Sequence, residues 1–220
     1  MSDNFLREID EEVRRDQAAD LWKKYGNLII VLLALLVAGV GVWRFWQYRQ
    51  EQAAQAVSAR LETALKASRE SRGEEAEKTL AELAKEGVGG YALVARFRFA
   101  AEAARRDPAD GAKAFDALSS DGTVETTFRD LARIRSAMLK VDLAPYAEIK
   151  ASLEPLAGAT GIWRHTAREL LGVSALKAAN MDDAGRWFDQ IVVDREAPQA
   201  LRQRADLYLA LVRAGPVDVK

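Results

Sequence analysis

The apolar positions follow two regimes along the chain. From Leu28 to Trp43 there is no charged or strongly polar side chain. With its flanks the segment runs from Tyr25 to Trp46, 22 residues. As a helix that is about 33 Å, enough for a hydrocarbon core of about 30 Å. Twelve of these residues are Leu, Ile, Val or Phe, and together they favour insertion by about 4–7 kcal/mol. Trp22 and Tyr25 precede the run, and Trp43, Phe45, Trp46 and Tyr48 close it, the aromatic belt of a membrane interface. The segment reads as a transmembrane helix. Beyond it the pattern becomes amphipathic and stays helical. Val57, Leu61, Ala64 and Leu65 recur at helical spacing, and a break falls at Ser71-Arg72-Gly73.

From Glu74 to Ala214 helices alone are expected, because alternating runs rich in Val, Ile and Thr are missing. Gly87 to Gly90, Asp107-Pro108, Asp121-Gly122, Ala144-Pro145, Gly158 to Gly161, Asn180 and Ala197-Pro198 punctuate the stretch. They leave helices near 74–86, 91–106, 109–118, 124–141, 146–157, 162–179, 182–193 and 197–213. Asp107 ahead of Pro108 places a capping carboxylate before a proline suited to the first helical position.

Every second helix is longer, and the long ones align. Tyr91, Phe128, Trp163 and Leu201 open them, and Ala95, Ala132, Ala167 and Ala205 follow four positions later. A bulky residue beside a small one suits two closely crossing helices. In the third unit Leu171, Gly172, Ala175, Ala184 and Phe188 match the spacing of a tetratricopeptide repeat. Ala100, Ala103 and Ala112 follow it in the first unit, where Phe115 falls one position early; the unit with Ala137 and Leu153 is the most degenerate. The expected fold class is all-α: one N-terminal transmembrane helix, then a tetratricopeptide-like α-solenoid of helix pairs. The expected organisation is an N-terminal segment at 1–24, the span at 25–46, a helical stalk at 47–72 and the repeat domain at 73–220.

Charge changes this picture little. Lys and Arg number 32 and Asp and Glu 33, and residues 47–220 carry 26 of each. A neutral body has no general electrostatic claim on nucleic acid. Around the span the bias favours a cytoplasmic N-terminus. Arg7, Arg14, Arg15, Lys23 and Lys24 lie before it, against Arg44, Arg49 and Arg60 after it. Residues 1–24 are too acidic for a signal-peptide head, so the segment reads as an uncleaved signal anchor. Phe5, Ile9 and Val13 there fit either a short amphipathic helix or a solvated stub. Ala34, Ala38 and Gly41 share one face of the span, as a packing stripe for another helix or as ordinary composition.

Candidate chemistry is sparse. There is no cysteine and one histidine, His165, and neither a phosphate-cradling glycine loop, G-x-G-x-x-G nor H-E-x-x-H occurs. No catalytic residue, cofactor, metal or small-molecule substrate is expected, and His165 reads as a packing or surface residue. Glu74-Glu75 and Asp182-Asp183 read as first-turn charges. Arg96, Arg98, Arg133, Arg135 and Arg168 recur on the long helices. They line a groove for acidic or C-terminal carboxylate ligands, or they sit on solvated faces beside acids.

The order of parts resembles a known family. DEEVRRD (Asp10 to Asp16) and LWKKYGN (Leu21 to Asn27) before a single span are similar to the start of YfgM-type ancillary subunits of the Sec translocon. YALVARFRFAAEAA (Tyr91 to Ala104), FRDLARIR (Phe128 to Arg135), ARELLGVSAL after Trp163-Arg164, and PQALRQRA (Pro198 to Ala205) resemble its repeat domain. The resemblance implies a single-pass protein of the bacterial inner membrane with a periplasmic repeat domain. Its expected partners are Sec translocon subunits and periplasmic chaperones, and it carries over no catalytic residues. A scaffold for another inner-membrane complex, in cell division or respiration, is the alternative.

Overall fold

A computed structural model describes residues 2–86 and 89–215, with side chains described for 22–28, 30–86 and 90–215. Every regular element among them is helical: α1 Ser2–Arg69, α2 Gly73–Glu86, α3 Gly89–Arg106, α4 Pro108–Ser119, α5 Thr126–Lys140, α6 Tyr146–Leu153, α7 Arg164–Lys177, α8 Met181–Val192 and α9 Gln199–Ala214. A short 3-10 turn, Glu154–Leu156, follows α6. Contacts divide the chain into residues 1–55 and 56–220.

The first unit belongs to α1. Its apolar run is unburied on all sides, with Leu36 63% and Val42 71% exposed. A helix that is apolar all round needs an apolar surrounding, and here the protein supplies none. Among the described residues this is the one helix long and apolar enough to cross a membrane. Cations sit over aromatic rings at both ends of the run, Lys24 over Tyr25 and Arg49 over Phe45. The face of Phe5, Ile9 and Val13 lies outside the described side chains.

In the second unit helices pack in chain order, each of α2 to α9 on its neighbour in sequence. Among the described residues the core is four apolar clusters rather than one, and each joins a helix pair to the helix that follows. The end of α1 (Val57, Ala64) and α2 (Leu80, Leu83) close on Ala95 of α3. Ala100 of α3 and Phe115 and Leu118 of α4 close on Ala132 of α5. Ile134 and Ala137 of α5 and Ile149 and Leu153 of α6 close on Ala167 and Leu171 of α7. Ala175 of α7 and Phe188 and Ile191 of α8 close on Leu201, Ala205 and Leu209 of α9. Each pair leaves an apolar face that only its successor covers, the quasi-one-dimensional logic of a solenoid.

One spacing underlies all four pairs. A buried small residue on the first helix is followed twelve positions later by a buried residue on the second: Ala64 and Ala76, Ala100 and Ala112, Ala137 and Ile149, Gly172 and Ala184. The first pair, residues 57–69 with α2, adds a unit ahead of those aligned from sequence. Its closure repeats as well. Ser71 and Ala179, each seven positions after the small residue, are the only non-glycine residues with positive φ among those described, at 63° and 55°. In both, the next N–H turns back onto the helix: Arg72 N donates to Ala67 O at 2.8 Å and Asn180 N to Ala175 O at 2.9 Å. This is a left-handed helix stop, normally made by glycine.

Other boundaries follow local chemistry. The Asp107 side chain accepts from Ala109 N at 2.8 Å and caps α4. α6 is shorter than the apolar pattern predicts, because Pro155 has no N–H to continue the ladder.

Candidate functional site

The end of α1 and α3, α5, α7 and α9 are first helices and lie side by side. Ser68 and Glu102 join α1 to α3, Phe97 and Phe128 meet at 6.4 Å between α3 and α5, and Arg204 donates to Glu169 between α9 and α7. Among the described residues of the second unit, the exposed large apolar side chains that lie within helices are on these: Val94 on α3, Phe128 and Met138 on α5, and Leu207 and Leu211 on α9; Leu143, Ile162 and Val193 are exposed in connections. Between α3 and α5 the row opens into a cleft of about 440 Å³. Phe97, Ala101, Phe115, Leu131, Met138 and Leu139 line it, with Arg98 and Arg135.

The recurring arginines separate into two kinds. Arg96 donates to Asp121 at 2.6 Å, and Arg133 lies 3.8 Å from Asp130. Arg168 is buried and donates to the carbonyls of Ala157 and Gln190 and to Asp194. Those three are held inside the chain. Arg98 and Arg135 have no carboxylate within ion-pair distance among the described residues, and both face the cleft. They occupy the same repeat position, two residues before Ala100 and Ala137.

The other charged clusters hold helices together. Asp194 follows α8, and its Oδ2 accepts from Arg164 Nε at 3.0 Å, Arg168 Nη1 at 3.1 Å and His165 Nε2 at 3.0 Å. Its Oδ1 accepts from Glu196 N at 3.0 Å. Arg164 first, then the Glu196 N–H and His165, hold the Asp194 carboxyl well below the usual carboxylate range. Asp121 is lowered to about 2, chiefly by the Thr123 hydroxyl and N–H and then by Arg96. Asp183, in the first turn of α8, is buried and takes Tyr146 Oη at 2.8 Å, while Trp187 Nε1 donates to Tyr146 Oη at 3.0 Å. These groups are charge-balanced and fixed, and His165 is occupied by Asp194. No group of three metal-ligating side chains lies together among the described residues.

The aligned packing residues separate by burial. Ala95, Ala132, Ala167, Leu171, Gly172, Ala184, Phe188 and Ala205 are buried, as is Leu201. Tyr91 and Trp163 are half-buried, and Phe128 is 40% exposed at the α3–α5 junction. The small residue therefore sits at each helix crossing; of the bulky companions, Leu201 is buried with it, while Tyr91, Phe128 and Trp163 cover an edge. In the span, Ala34, Ala38 and Gly41 share an exposed face, and a Cβ on Gly41 would touch nothing within 4 Å.

Two features carry little signal in the sequence. The pair built from Ala64, Ala67, Ala76, Leu80 and Leu83 carries the twelve-residue spacing but opens on Gln55, where the later units have Tyr91, Phe128 and Trp163. The Asp194 cluster gives no sequence signal, because its partners lie about 30 positions upstream.

Residues 20–194 match the family model described as Tetratricopeptide repeat-like domain. No curated protein and no solved structure matches the chain.

Proposed function

The chain belongs to the tetratricopeptide repeat-like domain family, and from that membership we propose that it is a membrane-anchored protein-interaction module, an ancillary subunit of the Sec translocon. In this reading residues 25–46 span the bacterial inner membrane, residues 1–24 are cytoplasmic and the repeats are periplasmic. The module meets exported chains together with periplasmic chaperones. One observation carries the proposal: a single chain combines an unburied apolar helix with repeat helices that expose Val94, Met138 and Leu207 to solvent. Unpartnered apolar side chains are what a protein ligand covers. Tethering multiplies a weak surface by local concentration, so modest affinity suffices where chains emerge.

The test is crosslinking in native membranes, followed by affinity purification of the full chain in mild detergent. The expected partners are translocon subunits and periplasmic chaperones. Recovery of respiratory or division proteins without them contradicts the translocon assignment and favours a scaffold role. We assign Ala34, Ala38 and Gly41 to the contact with another spanning helix. Leucine at all three should then lower partner recovery, and unchanged recovery removes that face from the account. A reporter fused after Lys220 and active only in the cytoplasm would reverse the orientation.

A further inference from the structure

The cleft between α3 and α5 sets two unanswered cations beside an apolar floor. α3 carries Arg96, Arg98, Arg105 and Arg106 against Glu102 alone. α5 carries Arg129, Arg133, Arg135 and Lys140 against Asp130 alone. Six of these eight bases are engaged inside the chain, five with carboxylates and Arg129 with the Thr126 hydroxyl. The two left over, Arg98 and Arg135, are those on the cleft. Their equivalent repeat positions place one on each of the two flanking helices.

We infer that this cleft binds an acidic–apolar segment of a polypeptide: a bulky apolar side chain enters between α3 and α5, and side-chain carboxylates on either side of it meet Arg98 and Arg135. The inference rests on the interaction-module reading above and names the chemistry of its ligand. An open volume of about 440 Å³ holds a large side chain with room for the backbone leading to it. Phe97, Leu131 and Met138 supply the apolar contact from which most of the affinity comes. Guanidinium groups select carboxylates by paired hydrogen bonds. Being exposed, they act more on choice of partner and association rate than on total affinity. A basic or uncharged apolar segment gains only the floor.

The test uses the full chain in nanodiscs and short fluorescein-labelled peptides with amidated C-termini, followed by fluorescence anisotropy. One peptide has a leucine–phenylalanine pair flanked by aspartates; the others replace the aspartates by lysines or the apolar pair by serines. The acidic–apolar peptide should bind best, by about ten-fold over either control, and weaken with added salt. R98E/R135E should lose that preference and favour the lysine peptide, while R98K/R135K keeps the acidic one. Equal binding of all three peptides, or an unchanged preference in R98E/R135E, overturns the inference. So does binding that requires a free C-terminus. The two readings fail separately. If the cleft is wrong, R98E/R135E crosslinks to the same native partners as the wild type; if the module reading is wrong, the wild type has no protein partners to lose.

Discussion

Gly172 on α7 lies against the ring of Phe188 on α8, so closely that a Cβ at residue 172 would stand 2.6 Å from both Cε1 and Cζ. The ring also stacks on Tyr208 of α9 with centroids 4.8 Å apart, so moving it disturbs that contact as well. One missing methyl group thus seats three helices. Gly172→Ala should cost about 1–3 kcal/mol through overpacking. Phe188→Leu in the same chain should recover part of that loss, because the smaller side chain vacates the contact. Urea unfolding of the two single variants and the double variant checks this; strict additivity would separate the two residues energetically.

Gly111 on α4 meets backbone instead. A Cβ there would fall 2.3 Å from Ala104 Cβ and 2.5 Å from its Cα on α3. No side chain can rotate away, so α3 and α4 must part along their contact. Gly111→Ala should therefore destabilise more than Gly172→Ala, by about 3 kcal/mol or more. The same unfolding experiment ranks the two, and the reverse order would refute the close approach.

Ser71 and Ala179 hold left-handed conformations that cost a side chain about 1 kcal/mol and cost glycine little. Ser71→Gly and Ala179→Gly should each stabilise the domain, raising its melting temperature by about 2–4 °C. A fall in both would mean that the serine and alanine side chains contribute more than their backbone strain costs.

Asp194 sets the direction of the pH dependence. Its native carboxyl is held below the ordinary range by Arg164, the Glu196 N–H and His165, so the unfolded chain binds the proton more readily. The resulting stability is complete above the ordinary carboxylate pKa of about 4 and is lost as pH falls through the depressed native value. Asp121, lowered to about 2, acts in the same sense. Stability should fall steeply below about pH 4, and Asp194→Asn should be less stable at neutral pH with a shallower acid limb. An unchanged acid slope would take Asp194 out of this role.

The sequence makes the scaffold readable and the ligand face only half so. Ala95, Ala132, Ala167 and Ala205 are found from spacing alone because a helix crossing tolerates few residue types, and all four are buried at such crossings. The pair made by the end of α1 and α2 escapes that search because Gln55 replaces the bulky opening residue, although Ala64 and Ala76 keep the spacing. Pro155 halts α6 early against the continuing apolar pattern. The arginines illustrate the limit best. Arg96 and Arg98 are two positions apart and look alike in sequence, yet Asp121, 25 positions downstream, neutralises only the first. Which cation remains for a partner is decided by tertiary packing.

Partners are expected to bind the first helices at the α3–α5 cleft. Photocrosslinking from Met138, in the α3–α5 cleft, against Ala117, exposed on α4, tests it in native membranes with the full chain. Protein adducts from Met138 and none from Ala117 are the predicted result. Equal adducts from both positions, or none from Met138, would contradict it.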